Sequence, residues 1–344
     1  MARRREYWLQ LENQLWDASP WGVDRVAGKT MARRPDGMFR GASEEVLRIR
    51  RYEENWSTPA GLAVNPWDLA EPDNGEFPGA VLTAKVADEI VVHFRNMDQR
   101  KDVDDQQRIH SLHAHGAQRV PRYDGAYPLS PPDLEQGGRH GDRVAPGDSF
   151  TYRWTCPQRA AAGAWLFHDG SLAGSQSTGL GAFGVLLIRS PGEVEPDLPV
   201  AAIRRAGDSM TSFSSVPRPP RQGEYVLVFH RLPGVGLCLN GRQALGNTPT
   251  LVAGMGTRMR VHCLNATPEP LTVHIHGHRW ERGAAYVDAE LLPAGGGTTL
   301  SILSGSSENG GGIGEWVIEG TIAGESVHGS LLVTVGGVVE LASG

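Results

Sequence analysis

His110-Ser111-Leu112-His113-Ala114-His115-Gly116 and His274-Ile275-His276-Gly277-His278 decide the reading of this chain. Both stretches place histidines at alternate positions inside apolar, strand-like runs, and both contain His-x-His-Gly. Side chains two apart on a strand point the same way, about 6.5–7 Å apart. Two imidazoles on one face can therefore converge on one metal or reach two neighbouring ones. Imidazole is the commonest nitrogen ligand for copper, zinc and iron. One such pair is a weak sign; two, each ending in His-Gly, are a strong one.

The sequence around them predicts an all-β protein. Among 344 residues, 44 glycines and 23 prolines make nearly a fifth of the chain, against roughly 12% in average usage. Turn-formers at that density, with few long 3.6-residue periods, imply many short strands. Strands are expected at 7–16, 46–52, 80–95 (with a turn at Ala87-Asp88), 108–115, 149–155, 164–168 and 181–188. Ser190–Gly223, rich in Pro, Ser and Arg and without a sustained period, reads as a linker between domains spanning 1–189 and 224–344. The second half repeats the order of the first. It has strands at 225–229, 256–265, 271–276, 295–303, 316–318 and 329–335, and a hairpin signal at Asn240-Gly241. In each half a Trp-led strand follows the histidine motif: Ala164–His168 in one, Glu315–Glu319 in the other. The pattern is that of an internal duplication, each copy about the size of a β-sandwich.

Charge and cysteine content narrow the function. A net charge of −6 argues against nucleic-acid or anionic-membrane partners, and the Arg3-Arg4-Arg5 start is too small to reverse it. No apolar run is long enough to span a membrane. Glu6–Asp17 alternates polar and apolar residues, so it is not the core of a secretion signal, and a cytoplasmic location is expected. Cys156, Cys238 and Cys263 are scattered and odd in number, which fits small buried side chains better than a zinc site or disulfide framework.

The ordered motifs resemble the multicopper oxidase and cupredoxin superfamily, especially its two-domain and ceruloplasmin-like members. "EYWLQLENQLWDASP", "HSLHAHG", "VAPGDSFTYRWTCP" and "GAWLFHDGS" follow the family's order through the first half, and "LCLNGRQ", "LTVHIHGHRW" and "GEWVIEGTIAGESVHGSLLVTV" do so in the second. The resemblance covers nearly the whole chain, although individual motifs are degraded. It implies two cupredoxin-like Greek-key β-sandwich or barrel domains.

It also implies a ligand set. The family builds a trinuclear copper cluster from four His-x-His motifs. Here the first gives His113 and His115, the second gives His168 and Gly170, and the third gives His274 and His276. The fourth, normally His-Cys-His, falls on Glu319, Gly320 and Thr321, so five of eight cluster histidines remain. The type 1 copper positions of the second domain fall on Leu271, Gly320, Glu325 and Ser330. The first domain keeps only His110 at the corresponding site, with Asp169 in the cysteine position. Without a thiolate there is no blue-copper centre.

The expected function is that of an oxidoreductase holding one or two copper ions on His113, His115, His168, His274 and His276. Zinc and iron also suit these residue types. Glu319 faces the cluster as a further ligand or a general base. Lacking the electron-transfer copper, the site would oxidise a small organic metabolite, phenolic or amine-bearing, bound at the metal, with dioxygen as acceptor. The alternatives are a redox-inactive metalloenzyme catalysing hydrolysis, cyclisation or dehydration, and a non-catalytic metal-binding protein. The family's two-domain members imply a homotrimer, with the metal site between domain one of one subunit and domain two of the next. His110 reads either as a partner behind the site or as a structural residue. His278 reads as a polar strand-end residue and His328 lies close to the lost axial position, with a site role left open for both, and His93, His140, His230 and His262 read as structural or surface residues. Loops Tyr123–Pro132 and Gly305–Gly314 are expected to set selectivity.

Overall fold

The computed structural model describes residues 2–32, 45–60, 77–128, 141–157, 159–193, 222–306 and 311–334. Most of the linker expected at Ser190–Gly223 therefore lies outside the described residues, as does His140. Within them the chain is almost entirely β-structure, as expected, and forms two units of two packed sheets each.

In the first unit one sheet orders the strands Val46–Tyr52, Arg4–Gln14, Glu89–Met97 and Ser149–Thr155. The other orders Val81–Lys85, Phe183–Arg189, Gly163–His168 and His113–Ala114. Alternation along each strand explains the packing. Leu9, Leu11, Ile90, Val92, Phe94, Tyr152 and Trp154 point inward and are fully buried with Leu112, Phe167 and Leu186 from the facing sheet. Burial of side chains this size contributes about 1.5–3 kcal/mol each.

The second unit repeats the plan. Strands Gly236–Leu239, Gln222–Leu232, Arg258–Asn265, Gly297–Leu303, Trp280–Arg282 and Ala285–Val287 make one sheet. Thr250–Gly254, Glu325–Thr334, Gly314–Ile322, Leu271–Ile275 and Ala289–Leu292 make the other. A third apolar cluster joins the units, combining Trp16, Phe77, Leu166 and Phe183 with Val226, Val228, Leu232 and Leu264. Phe183–Arg189 is consequently buried along its whole length, one face serving each core. Trp16 Nε1 donates to Gly241 O at 2.7 Å, and Arg189 forms a two-pronged pair with Glu224 at 2.7 and 3.0 Å, which tie the units together.

Three local expectations change. The run 108–115 is paired strand only at His113–Ala114, with one further bridge between His110 and Val144. A short helix, Gly174–Gly179, stands between the strands expected at 164–168 and 181–188. Asn240-Gly241 is a turn but not the hairpin turn, because the chain reverses earlier, at Leu232–Val235. Asn240 and Gly241 adopt φ of 47° and 72°. Their backbone instead serves tethers: the Asn240 side chain accepts from Val228 N at 2.7 Å and donates to Val226 O at 2.9 Å.

Candidate metal centre

The two histidine motifs occupy the same place in the two units, built by the same device. In the first unit His113 lies directly across from His168 on adjacent antiparallel strands. In the second, His274 lies directly across from Glu319. Each motif ends in a glycine with positive φ, +74° at Gly116 and +67° at Gly277. A Cβ on Gly116 would sit 2.4 Å from the Trp165 ring, and one on Gly277 would sit 2.5 Å from the Trp316 ring. Both tryptophans stand three residues before the residue opposite the first histidine, and each donates from Nε1 to a carbonyl four residues earlier, Ala161 at 2.7 Å and Gly312 at 3.1 Å. The indole thus fills the space a side chain would need, and glycine supplies the left-handed turn that ends the strand.

In the first unit His113, His115 and His168 converge, their ring centroids 5.2–5.6 Å apart. His115 Nε2 and His168 Nε2 approach to 3.1 Å. The other ring nitrogens are engaged. His168 Nδ1 donates to Asp169 O at 2.8 Å, leaving its Nε2 turned toward His115, and His113 Nδ1 donates to Asp124 O at 3.0 Å. The Arg119 guanidinium lies 3.2 Å from both nitrogens of His113 and is paired with Asp124 at 2.5 Å. Burial, then the positive charge of Arg119, lowers the His113 pKa from its ordinary value. Burial and the neighbouring His168 and His113 bring His115 down to about 4. Imidazoles held neutral in this way are ready to donate a lone pair to a metal.

Behind the trio lies a buried charged network. His110, fully buried, bonds Asp169 through Nδ1 at 2.6 Å and Asp98 through Nε2 at 2.9 Å. Asp98 also holds Arg100 at 2.7 Å. Asp169 accepts further bonds from Ser111 N at 2.9 Å, Ser171 N at 2.9 Å and Ser177 Oγ at 2.5 Å. Burial opposes the charge on His110, but the two carboxylates outweigh it and raise its pKa. Burial likewise opposes the Asp169 carboxylate, and the bond from His110 outweighs that and holds its pKa below the ordinary value. His110 is therefore occupied as a cation between carboxylates and is not offered to the cluster.

A cavity of about 590 Å³ opens onto the trio. Leu166, Phe183, Gly170 and Thr178 of the first unit line it together with Arg231, Thr267 and Pro268 of the second. Of the loops expected to set selectivity, Ala126 reaches the wall, while residues 129–132 and 307–310 lie outside the described residues.

The second cluster is separate. Ligand atoms of His274, His276 and Glu319 lie within 4.8 Å of one another. The two imidazoles stack with centroids 4.4 Å apart. Glu319 Oε2 is 3.7 Å from His276 Nε2, and Oε1 is 3.6 Å from His328 Nε2 and accepts from Ser326 Oγ at 2.9 Å. Burial opposes ionisation of Glu319, but the Ser326 bond and the charge of His328 bring its pKa below the ordinary value. The hydrogen bonds, ion pairs and ring contacts of each cluster stay within its own unit among the described residues. The sequence reading gave His328 little weight. Its signal was the alternation that puts it directly opposite Glu319 on the neighbouring strand.

The remaining histidines lie elsewhere. His278 is buried, donating to His276 O at 2.9 Å and packing on Trp316. His93 stacks on Trp8 on the outer sheet, His230 accepts from Gly241 N, and His262 bonds Glu224 and Thr299. Cys156, Cys238 and Cys263 are buried free thiols within the hydrophobic clusters, and burial pushes Cys156 up to about 12.

Residues 72–193 match the multicopper oxidase family model. That stretch of the chain is similar to the multicopper oxidases. Over 152 residues it is 28% identical to the venom prothrombin activator omicarin-C non-catalytic subunit of Oxyuranus microlepidotus, a match covering 44% of this chain and 9% of that one. It is 24% identical over 184 residues to ferroxidase HEPHL1 of Mus musculus, covering 49% of this chain and 14% of the ferroxidase. The chain thus spans a small part of these curated relatives' length. A solved structure described as a multicopper oxidase superposes with TM-score 0.58 and 16% identity, covering 96% of this chain and 90% of its own. That likeness is one of fold, and it identifies the two units as cupredoxin-like. No helix among the described residues is long and apolar enough to cross a membrane.

Proposed function

We propose that this multicopper oxidase relative is a copper-dependent oxidoreductase acting on a small organic molecule with dioxygen as acceptor. The convergence of His113, His115 and His168 at the mouth of the 590 Å³ cavity carries the reading. The donor set fits copper. Three imidazoles converge, two of them 3.1 Å apart at Nε2, a separation that opens by under about an ångström around a metal bonded at about 2.0–2.1 Å. When bound there, copper supplies one-electron chemistry between an organic donor and dioxygen.

The protein's own contribution is positional. The carbonyls of Asp169 and Asp124 fix the tautomers of His168 and His113, which leaves the Nε2 lone pair of His168 facing His115 and that of His113 facing Arg119, whose guanidinium must turn aside for His113 to bind a metal. Burial, and after it the charge of Arg119, lowers the His113 pKa. Leu166, Phe183 and Pro268 give the cavity apolar walls on which an aromatic or alkyl substrate body packs, which excludes water beside the metal. With all three thiols buried in the cores and Asp169 committed to His110, the site is non-blue and the substrate must meet the metal directly. His274, His276 and Glu319 form a second donor group. A homotrimer in which this group of one subunit faces the trio of the next belongs to the same reading.

The test is copper content and the EPR spectrum of reconstituted protein. Copper bound with a type 2 signal and no band near roughly 600 nm, where copper–thiolate charge transfer falls, is the expected result, with oxygen uptake in the presence of a phenol or aromatic amine. A His113→Ala variant that keeps its copper and its oxygen uptake refutes the assignment. A monomeric mass by light scattering on the copper-loaded protein refutes the trimer.

A further inference from the structure

We infer that His274, His276 and Glu319 form a mononuclear divalent-metal site complete within one unit of one chain, in which Glu319 is a ligand and His328 holds its second oxygen. The inference goes beyond the oxidase reading and needs neither the His113 trio nor a trimer.

The internal duplication carries it. Two units built by one device place two residues opposite their first histidines: His168 opposite His113, and Glu319 opposite His274. His168 turns its Nε2 into the first cluster, 3.1 Å from that of His115. Glu319 turns a carboxylate oxygen toward His276 at 3.7 Å from the same register position. The exchange replaces an imidazole donor by an anionic oxygen at one structural position. The three donors already lie within 4.8 Å of one another, close to the spread of ligands around one metal bonded at about 2.0–2.2 Å. Two imidazoles and a carboxylate on one side leave the remaining positions open, the donor set of mononuclear zinc and non-haem iron(II) sites.

The next strand completes the site. Opposite His168 stands Phe183, which packs in the joint between the units. Opposite Glu319 stands His328, 3.6 Å from Oε1, with Ser326 donating to the same oxygen at 2.9 Å. A carboxylate with one oxygen hydrogen-bonded by Ser326 beside His328 and the other facing two imidazoles is oriented as metal-ligating carboxylates are. His276 is about half exposed (47%) and the cluster opens to solvent, so a metal and a small ligand can enter.

The probe is cobalt(II), whose visible d–d bands report its ligand field, titrated into the metal-free full chain with zinc competition for affinity. The H113A/H115A/H168A chain is expected to bind one cobalt per chain. In that background Glu319→Gln should lose more than the roughly 10–100-fold that removal of an outer partner costs, and His328→Gln should lose affinity within that roughly 10–100-fold range. If the triple variant is unfolded by circular dichroism, the conservative single variant E319Q in the otherwise unchanged chain decides: cobalt stoichiometry falls by one per chain. No cobalt bound by a folded triple variant overturns the inference. So does unchanged affinity in E319Q, which would leave Glu319 as a base beside the metal. Neither result touches the trio, so failure here leaves the oxidase reading standing, and loss of copper in the trio variants leaves this site standing.

Discussion

Asp169→Asn tests the buried network behind the first cluster. The Asp169 carboxylate accepts five hydrogen bonds, from His110 Nδ1, Ser111 N, Ser111 Oγ, Ser171 N and Ser177 Oγ. An amide can accept at only one of its two terminal atoms, so at least one buried donor would face an NH₂ group. The charge opposing His110 on that side would also vanish. Asp98 would remain, but it is already shared with Arg100. Breaking a buried ion pair by removing one partner costs about 3–5 kcal/mol. At about 2–4 °C per kcal/mol for a unit of roughly 150–250 residues, the first unit should melt about 6–20 °C lower. The assay is urea unfolding of the metal-free protein at pH 6, followed by tryptophan fluorescence and paired with thermal scans. The double variant with His110→Asn should recover part of the loss, giving a coupling of about 1.5 kcal/mol or more between the two positions. A loss below about 1 kcal/mol, the level of an exposed pair, with no coupling, would show that His110 is not a cation held between two carboxylates.

The lowered histidines make stability fall in acid: the unfolded chain takes up protons near the ordinary value of 6.5 that folded His115 refuses until about 4 and folded His230 until about 3. Their contribution is complete above pH 6.5 and is lost as pH falls through the folded values. His115→Gln should therefore lose less stability than wild type between pH 6.5 and 4, and an identical slope would contradict the shift. Gly277→Ala forces a methyl to within 2.5 Å of the Trp316 ring at a φ of +67° and should destabilise the second unit by about 1–3 kcal/mol; a neutral variant by urea unfolding would deny that the indole fixes the turn. The three buried thiols should be inert to Ellman's reagent in the native protein and all react in guanidinium, with Cys156 pushed up to about 12. Rapid labelling of any of them in the native state would contradict their burial.

The all-β architecture and the doubling were legible because they are written in short-range patterns. Alternation marks strands such as Leu9 and Leu11 or Val92 and Phe94, and the His-x-His-Gly motif recurs with its tryptophan at similar distances. That His113 lies beside His115 and His274 beside His276 was legible too, since alternate histidines on a strand share a face whatever the rest of the chain does. Partners set by pairing across strands were much less legible. His328 meets Glu319 because of register, and the Asn240-Gly241 turn serves Val226, Val228 and Trp16 rather than its own hairpin. His110 reads either as a partner behind the site or as a structural residue, and its pairing with Asp98 depends on a fold-back that no local pattern encodes. The short helix Gly174–Gly179 escaped notice because its composition, Gly-Ser-Gln-Ser-Thr-Gly, has no apolar stripe and low helix propensity.

The comparison of the two units locates where chemistry is decided on this scaffold. The glycine, the indole beneath it and the cross-strand partner of the first histidine recur with the same spacing, so the duplicated backbone specifies where three side chains meet. It does not specify what they are. In the first unit the meeting point lines a cavity to which the second unit supplies one wall, and burial lowers the pKa of His113, with Arg119 after it, and of His115. In the second unit the same point faces solvent and carries a carboxylate braced by Ser326 and His328. Nitrogen donors alone favour copper, whereas an anionic oxygen stabilises a harder divalent ion. We propose that one register position, His168 in the first unit and Glu319 in the second, separates two metal chemistries on one fold.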